Sequence, residues 1–289
     1  MKLLIFGAGG QVGTALLQTA WPPGTDVTGL THSQADIRDA AAIAAALDTH
    51  SSDLVINAGG YTAVDKAESE PDAAMRANGE APGLIAAECA RRGAAMIHIS
   101  TDYVFDGTKA APYLESDKPA PLGVYGASKL AGERAVTAQL QRQVILRTSW
   151  VFSCSGTNFV KTMLRLAASG REIRVVQDQV GGPTAAADIA AAIARIAVRI
   201  GAGSTKWGLY HYCGEPAVSW YEFAKTIFDM RETMMGQRVA VVPIATREYP
   251  TAARRPANSR LDCGKIRADY GIEQPLWRPA LESAIKSLV

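Results

Sequence analysis

The chain has few of the residues that staple or wire a protein together. Among 289 residues there are four cysteines and four histidines. Cys89, Cys154, Cys213 and Cys263 are scattered, form no CxxC pair and have no Cys/His spacing of a zinc site. A disulfide framework and a structural zinc are therefore excluded, and the thiols read as reduced residues of a cytoplasmic protein. No apolar run is long enough to cross a bilayer, and no leader-like stretch precedes the strand-like Lys2-Leu3-Leu4-Ile5-Phe6. Neither sign of charge dominates: 30 Lys and Arg against 28 Asp and Glu leave +2. No general affinity for nucleic acid or an anionic membrane follows. Internal repeats and low-complexity linkers are absent too. With 48% hydrophobic residues, the chain can bury one large core or two connected lobes.

What is present is a rhythm. Residues 3–6 form a short continuous apolar run ended by glycines, the pattern of a buried parallel strand. Further strands are expected at 26–30, 53–57, 95–100 and 144–151. Helices are expected between them at 11–19, 40–48, 71–92 and 126–140. Such alternation predicts a parallel sheet covered on both faces. After Trp150 the rhythm changes to a helix at 158–168, a strand at 173–176, a helix at 185–200 and a strand at 209–213. The expected fold class is α/β: a Rossmann-like, doubly wound parallel sheet with a smaller, interleaved C-terminal α/β lobe. Residues 1–152 would bind the nucleotide, with later returns to the sheet near 173–213. Residues 153–289 would mainly bind substrate.

Gly7, Gly10 and Gly13 follow the first strand and open a helix in a GxxGxxG spacing, with Gln11 and Val12 in the same turn. Glycines here permit a tight turn, close approach to a pyrophosphate and close helix–strand packing. NAD-specific sites usually place an acid at the end of the second strand, on the ribose 2′-hydroxyl. Gly29-Leu30-Thr31-His32-Ser33 has none. A 2′-phosphate would meet no repulsion, and Thr31, His32 and Ser33 could hydrogen-bond it. NADPH is the expected cofactor, with NADH also accepted. Asp36 and Ile37 would flank the adenine. Asn57, Ala58 and Gly59 end the third strand, where small residues let backbone pass close to a ribose.

Tyr125-Gly126-Ala127-Ser128-Lys129 carries the chemistry. A Tyr and a Lys four apart share one helix face. An ammonium beside a phenol stabilises its anion, so the phenol can exchange a proton near neutral pH although free Tyr titrates near ~10. Tyr125 would donate the proton and Lys129 would also hold the nicotinamide ribose. Thr101, in Ser100-Thr101-Asp102, would orient the carbonyl oxygen. A glycine loop followed by this trio points to hydride transfer to a ketone.

These motifs resemble the extended short-chain dehydrogenase/reductase family and, within it, the dTDP-4-dehydrorhamnose reductases. The more specific segments are Tyr61-Thr62-Ala63-Val64-Asp65-Lys66-Ala67-Glu68 and Arg255-Pro256-Ala257-Asn258-Ser259. The resemblance implies reduction of dTDP-4-dehydro-β-L-rhamnose to dTDP-L-rhamnose, for cell-surface polysaccharide. It also implies substrate contacts from Thr62, Val64, Asp65, Thr101, Asp102, Arg255, Asn258 and Ser259, with Trp150 as an apolar wall for the deoxysugar. Some relatives gather acidic side chains around a metal at a dimer interface. The matching helix here, Ala185-Ala186-Ala187-Asp188-Ile189-Ala190, has one carboxylate, so no metal is expected and the state would be a monomer or weak homodimer. Two other readings share the fold. One is an NAD-dependent sugar-nucleotide epimerase. The other is a non-catalytic regulatory subunit of the methionine adenosyltransferase type.

Overall fold

A computed structural model describes residues 1–168, 171–236 and 238–288. Its centre is a six-stranded parallel sheet. Strands β1 (Lys2–Phe6), β2 (Asp26–Leu30), β3 (Leu54–Asn57), β4 (Ala95–Thr101) and β5 (Gln143–Thr148) are joined at one edge by Gly208–His211. The order is Gly208–His211, β5, β4, β3, β1, β2. The chain starts in the middle, steps out to β2 and resumes on the other side of β1 at β3. At such a reversal, neighbouring connections leave on opposite faces and a crevice opens beyond the strand ends.

The apolar runs follow from burial on both faces. Leu3 and Ile5 of β1 pack on one side, with Val12 and Leu16 of helix α1 (Gln11–Gln18) and with the helix Ala186–Gly201. Leu4 and Phe6 pack on the other, with Ile43 and Leu47 of helix α2 (Ala40–Thr49) and Ile85 of the helix Ala81–Arg92. The doubly wound α/β architecture expected from the sequence is the one found.

Four details differ from expectation. The fifth strand stops at Thr148, because Trp150 has φ 48. A bulky residue in the left-handed region breaks the extended run, and Val151–Phe152 then pairs with Thr184–Ala185 instead. The strand Ile173–Val176 does not return to the main sheet. It pairs with Val241–Ile244, and Ile173 and Val175 join a separate core with Phe152, Phe223, Trp277 and Leu281. The 71–92 helix contains one wider turn, Arg76–Glu80. Two of the scattered cysteines meet: Cys213 and Cys263 are free, buried thiols with sulfurs 3.9 Å apart. No described helix is long and apolar enough to cross a membrane.

Candidate active site

A cavity of about 1070 Å³ fills the crevice beyond the ends of β1, β3 and β4. Its floor depends on two glycines. Gly7 has φ +78, and a Cβ there would stand 2.4 Å from Gly59 N. A Cβ on Gly13 would stand 2.1 Å from Gly7 O. Any side chain at either position would push the turn, α1 and the β3 loop apart. Gly10 caps α1 without a side-chain bond, so the first N–H groups of that helix are left for an anion. Gly7, Gly10, Gln11 and Val12 line the cavity, while Gly13 packs behind it. The cradle fits a dinucleotide pyrophosphate.

At the β2 end, Thr31, His32, Ser33, Asp36 and Ile37 all line the same cavity. So does Arg38, which the sequence pattern does not single out. Arg38 Nη2 lies 2.7 Å from Asp36 Oδ2, and this bond draws the Asp36 carboxyl down to about 2. Ala58 and Gly59 face the cavity. Asn57 does not: it is buried, its Oδ1 accepts from Gly59 N at 3.1 Å, and its Nδ2 lies 3.2 Å from His98 Nδ1. It shapes the loop from beneath.

The trio converges where β4 ends. Thr101 is the last residue of β4. Tyr125 and Lys129 project from the first turns of the helix Val124–Gln139, which begins two residues earlier than the sequence suggests. All three line the cavity. Thr101 Oγ1 accepts from Tyr103 N at 3.2 Å, donates to Asp102 Oδ1 at 3.0 Å and lies in hydrogen-bond reach of Tyr125. Lys129 Nζ donates to Ile99 O at 2.6 Å. Burial lowers its pKa to about 8, with the Glu133 carboxylate pulling the other way. Glu133 is itself forked onto buried Arg147, with Nη2 to Oε2 at 2.6 Å and Nε to Oε1 at 2.8 Å.

The expected effect of Lys129 on Tyr125 is not what the structure gives. The Tyr125 phenol is pushed up to about 12, by desolvation first, with the Thr101 hydroxyl pulling it down and Asp102 adding to the rise. Desolvation penalises a phenolate, and the Lys129 ammonium directs its bond to the Ile99 carbonyl. The phenol therefore stays protonated at neutral pH, the form a proton donor needs.

Thr62, Val64, Asp102 and Trp150 also line the cavity. The Trp150 ring stacks on Trp220 at 3.4 Å between centroids. The C-terminal donors are engaged elsewhere. Arg255 is forked onto Asp65, with Nη2 2.7 Å from Oδ2 and Nη1 3.1 Å from Oδ1, and neither residue reaches the cavity wall. Asn258 donates to the carbonyls of Lys109 (2.6 Å) and Ala111 (3.0 Å), which makes it a loop clamp. Ser259 is buried behind the wall, close enough to Asp102 for its hydroxyl to draw that carboxyl down. Burial holds the Asp102 carboxyl up at about 6, against that pull. Tyr61, Asn78, Tyr103, Thr157 and Asn158 are also in the lining. No single-residue pattern marks them, because they come from separate segments of the chain.

The chain matches the RmlD substrate binding domain family over residues 1–289. It is 44% identical over 286 residues to a dTDP-4-dehydrorhamnose reductase of Aggregatibacter actinomycetemcomitans, covering 98% of this chain and 97% of that protein. The chain belongs to the dTDP-4-dehydrorhamnose reductase family. A reductase structure from Clostridium acetobutylicum matches with TM-score 0.91 and 35% identity, covering 100% of this chain and 99% of the other. A second, from Bacillus anthracis in complex with NADP, matches with TM-score 0.89 and 35% identity, covering 99% of each. As a member of this reductase family the chain is an oxidoreductase.

Proposed function

We propose that this reductase converts the C4 ketone of dTDP-4-dehydro-β-L-rhamnose to the alcohol of dTDP-L-rhamnose, a precursor of cell-surface polysaccharide, with Tyr125 as proton donor. The observation that carries the reading is that Thr101, Tyr125 and Lys129 line the cavity whose other end is the glycine cradle. NADPH, or NADH, supplies the hydride when bound. The remaining work falls to side chains. Thr101, whose hydroxyl donates to Asp102 Oδ1 and accepts from Tyr103 N, turns its proton from Asp102 to the ketone oxygen when the sugar binds. Tyr125, protonated at neutral pH, gives its proton to that oxygen as negative charge develops there. Lys129, one turn along the helix, supplies the positive charge that steadies the resulting phenolate and reaches the ribose side of the cradle. Thr62, Val64 and Trp150 form the wall for the sugar, with the indole against its apolar face. The Asp65–Arg255 pair acts from behind this wall, joining the β3 loop to the C-terminal segment. Residues 1–152 form the nucleotide-binding part and 153–289 contribute mainly to the sugar end.

The test is consumption of NADPH by the purified protein with enzymatically generated dTDP-4-dehydro-β-L-rhamnose. Stoichiometric formation of dTDP-L-rhamnose is expected. Tyr125→Phe should lower turnover by about 10²- to 10⁴-fold while dinucleotide binding persists. A fully active Phe variant would remove Tyr125 from the mechanism.

A further inference from the structure

Trp150 lines the cavity in a conformation that it could not keep alone. Its φ of 48 lies in the left-handed region, which a bulky residue holds only where its surroundings fix it. Two residues outside the cavity wall supply that hold. Trp220 stacks on the Trp150 ring, with centroids 3.4 Å apart and planes 6° from parallel. Gly181 lies flush against the same ring: a Cβ there would stand 2.5 Å from Trp150 Cε2 and 2.6 Å from Nε1. Both residues come from one small ladder. Val180–Gly181 pairs antiparallel with Val218–Ser219, and Trp220 follows directly as the first residue of the helix Trp220–Met235. A capping box of Ser219 and Glu222 fixes that helix start, and Phe159 packs on Trp220 with centroids 4.5 Å apart. The ladder is tied in turn to the C-terminal segment. Val180 N donates to Ala257 O and Ser259 N donates to Val180 O, each at 2.8 Å.

We propose that Trp220 is a positioning residue for the sugar: together with Gly181 it holds the Trp150 indole in the cavity wall, and so sets sugar affinity without touching sugar or dinucleotide. The proposal rests on the reading of Trp150 as the wall for the sugar. Stacked rings lose contact when either one rotates, so Trp220 resists any turn of the indole. Gly181, with no side chain, lets the ring lie against backbone, and any larger residue would drive it out of place. A wall that is in place before the ligand arrives gives its full contact. A ring free to turn must be ordered on binding, and that ordering weakens affinity. The proton-transfer groups stand on β4 and on the helix Val124–Gln139, which the ladder does not include. The effect of the stack therefore falls on sugar binding rather than on turnover. The same ladder gives the segment 257–259 a way to act on the sugar from behind the wall, through Val180 rather than by contact.

The experiment is steady-state reduction of dTDP-4-dehydro-β-L-rhamnose at saturating NADPH, with calorimetric titration of NADP⁺ alongside. It compares native protein with Trp220→Ala, Trp220→Leu, Trp220→Tyr, Trp150→Ala and the double variant Trp150→Ala/Trp220→Ala. Trp220→Ala should raise KM for the sugar about tenfold, with kcat and NADP⁺ affinity within about twofold of native. Trp220→Tyr keeps a ring in the stack and should restore most of the native KM. Trp220→Leu keeps apolar bulk without a ring and should not. Once Trp150 is Ala, removing Trp220 should add nothing, because it acts only through the indole. Equal rescue by Leu and Tyr, or KM penalties that add in the double variant, would overturn the proposal. So would a loss of kcat with KM unchanged, the mark of a helix end merely unseated. Melting temperatures confirm that each variant is folded, and should Trp220→Ala not fold, the comparison of Leu with Tyr carries the test. A Trp150→Ala variant with the native KM would instead defeat the reading of Trp150 as the sugar wall, and this proposal with it.

Discussion

Lys129 is asked to be a cation in a place that disfavours cations. It is buried with its Nζ against the Ile99 carbonyl. Desolvation brings its pKa to about 8, and only Glu133 acts to hold it up. In the proposed mechanism, below about pH 8 it is the ammonium that steadies a Tyr125 phenolate. As pH rises through about 8 it becomes a neutral amine, while Tyr125, at about 12, keeps its proton. Turnover should therefore fall on the alkaline side with a midpoint set by Lys129, not by Tyr125. The check is kcat measured from neutral pH to ~10 at saturating dinucleotide. A flat profile across that range would mean that the Lys129 charge does not act in the chemical step. The trio itself is legible in the sequence, because a YxxxK spacing states a shared helix face. The direction of the Tyr125 shift is not legible, because it depends on burial and on a carbonyl from β4.

At the scale of elements, two helices are locked by one asparagine. The wider turn Arg76–Glu80 brings Asn78 inward, where it is fully buried. Its Oδ1 accepts from Tyr61 N at 2.8 Å, and its Nδ2 donates to Tyr61 O at 2.9 Å and Ser128 Oγ at 3.1 Å. Ser128 in turn donates to the Tyr125 carbonyl at 2.8 Å. The loop after β3 is thereby tied to the helix that carries Tyr125 and Lys129. Gly132 makes the approach possible: a Cβ there would sit 2.0 Å from Asn78 O. Gly132→Ala should cost about 1–3 kcal/mol of stability by overpacking and reduce turnover as the Tyr125 helix is pushed outward. Urea unfolding and kcat read the two effects. An unchanged midpoint would show that the helix pair yields freely there. A run of apolar and small residues predicts this helix. It cannot predict the wide turn, which is set by what the neighbouring helix can accept.

For the whole molecule, what was legible divides by range of contact. The alternation of strands and helices and the glycine turn depend on near neighbours, and the first 150 residues follow the pattern. The C-terminal half is held by two-residue strands and by pairings such as Val180 with Asn258 and Ile173–Val176 with Val241–Ile244. Two-residue strands have no periodicity to detect, and the strand at 173–176, which is legible, does not reveal its distant partner. Asp65 and Arg255 are separated by 190 positions. Sequence resemblance places both at the substrate, whereas the fold pairs them behind the wall and leaves Thr62, Val64 and Trp150 to face the cavity. The central claim is that one cavity brings a nicotinamide to the C4 carbon of a dTDP-ketosugar. The most direct measurement is mass spectrometry and NMR of the sugar product after reaction with NADPH carrying deuterium at the transferable position. The account predicts one deuterium bonded at C4 of dTDP-L-rhamnose, with one NADPH oxidised per product. A product without deuterium at C4, or an isomerised sugar formed with no net loss of NADPH, would contradict it.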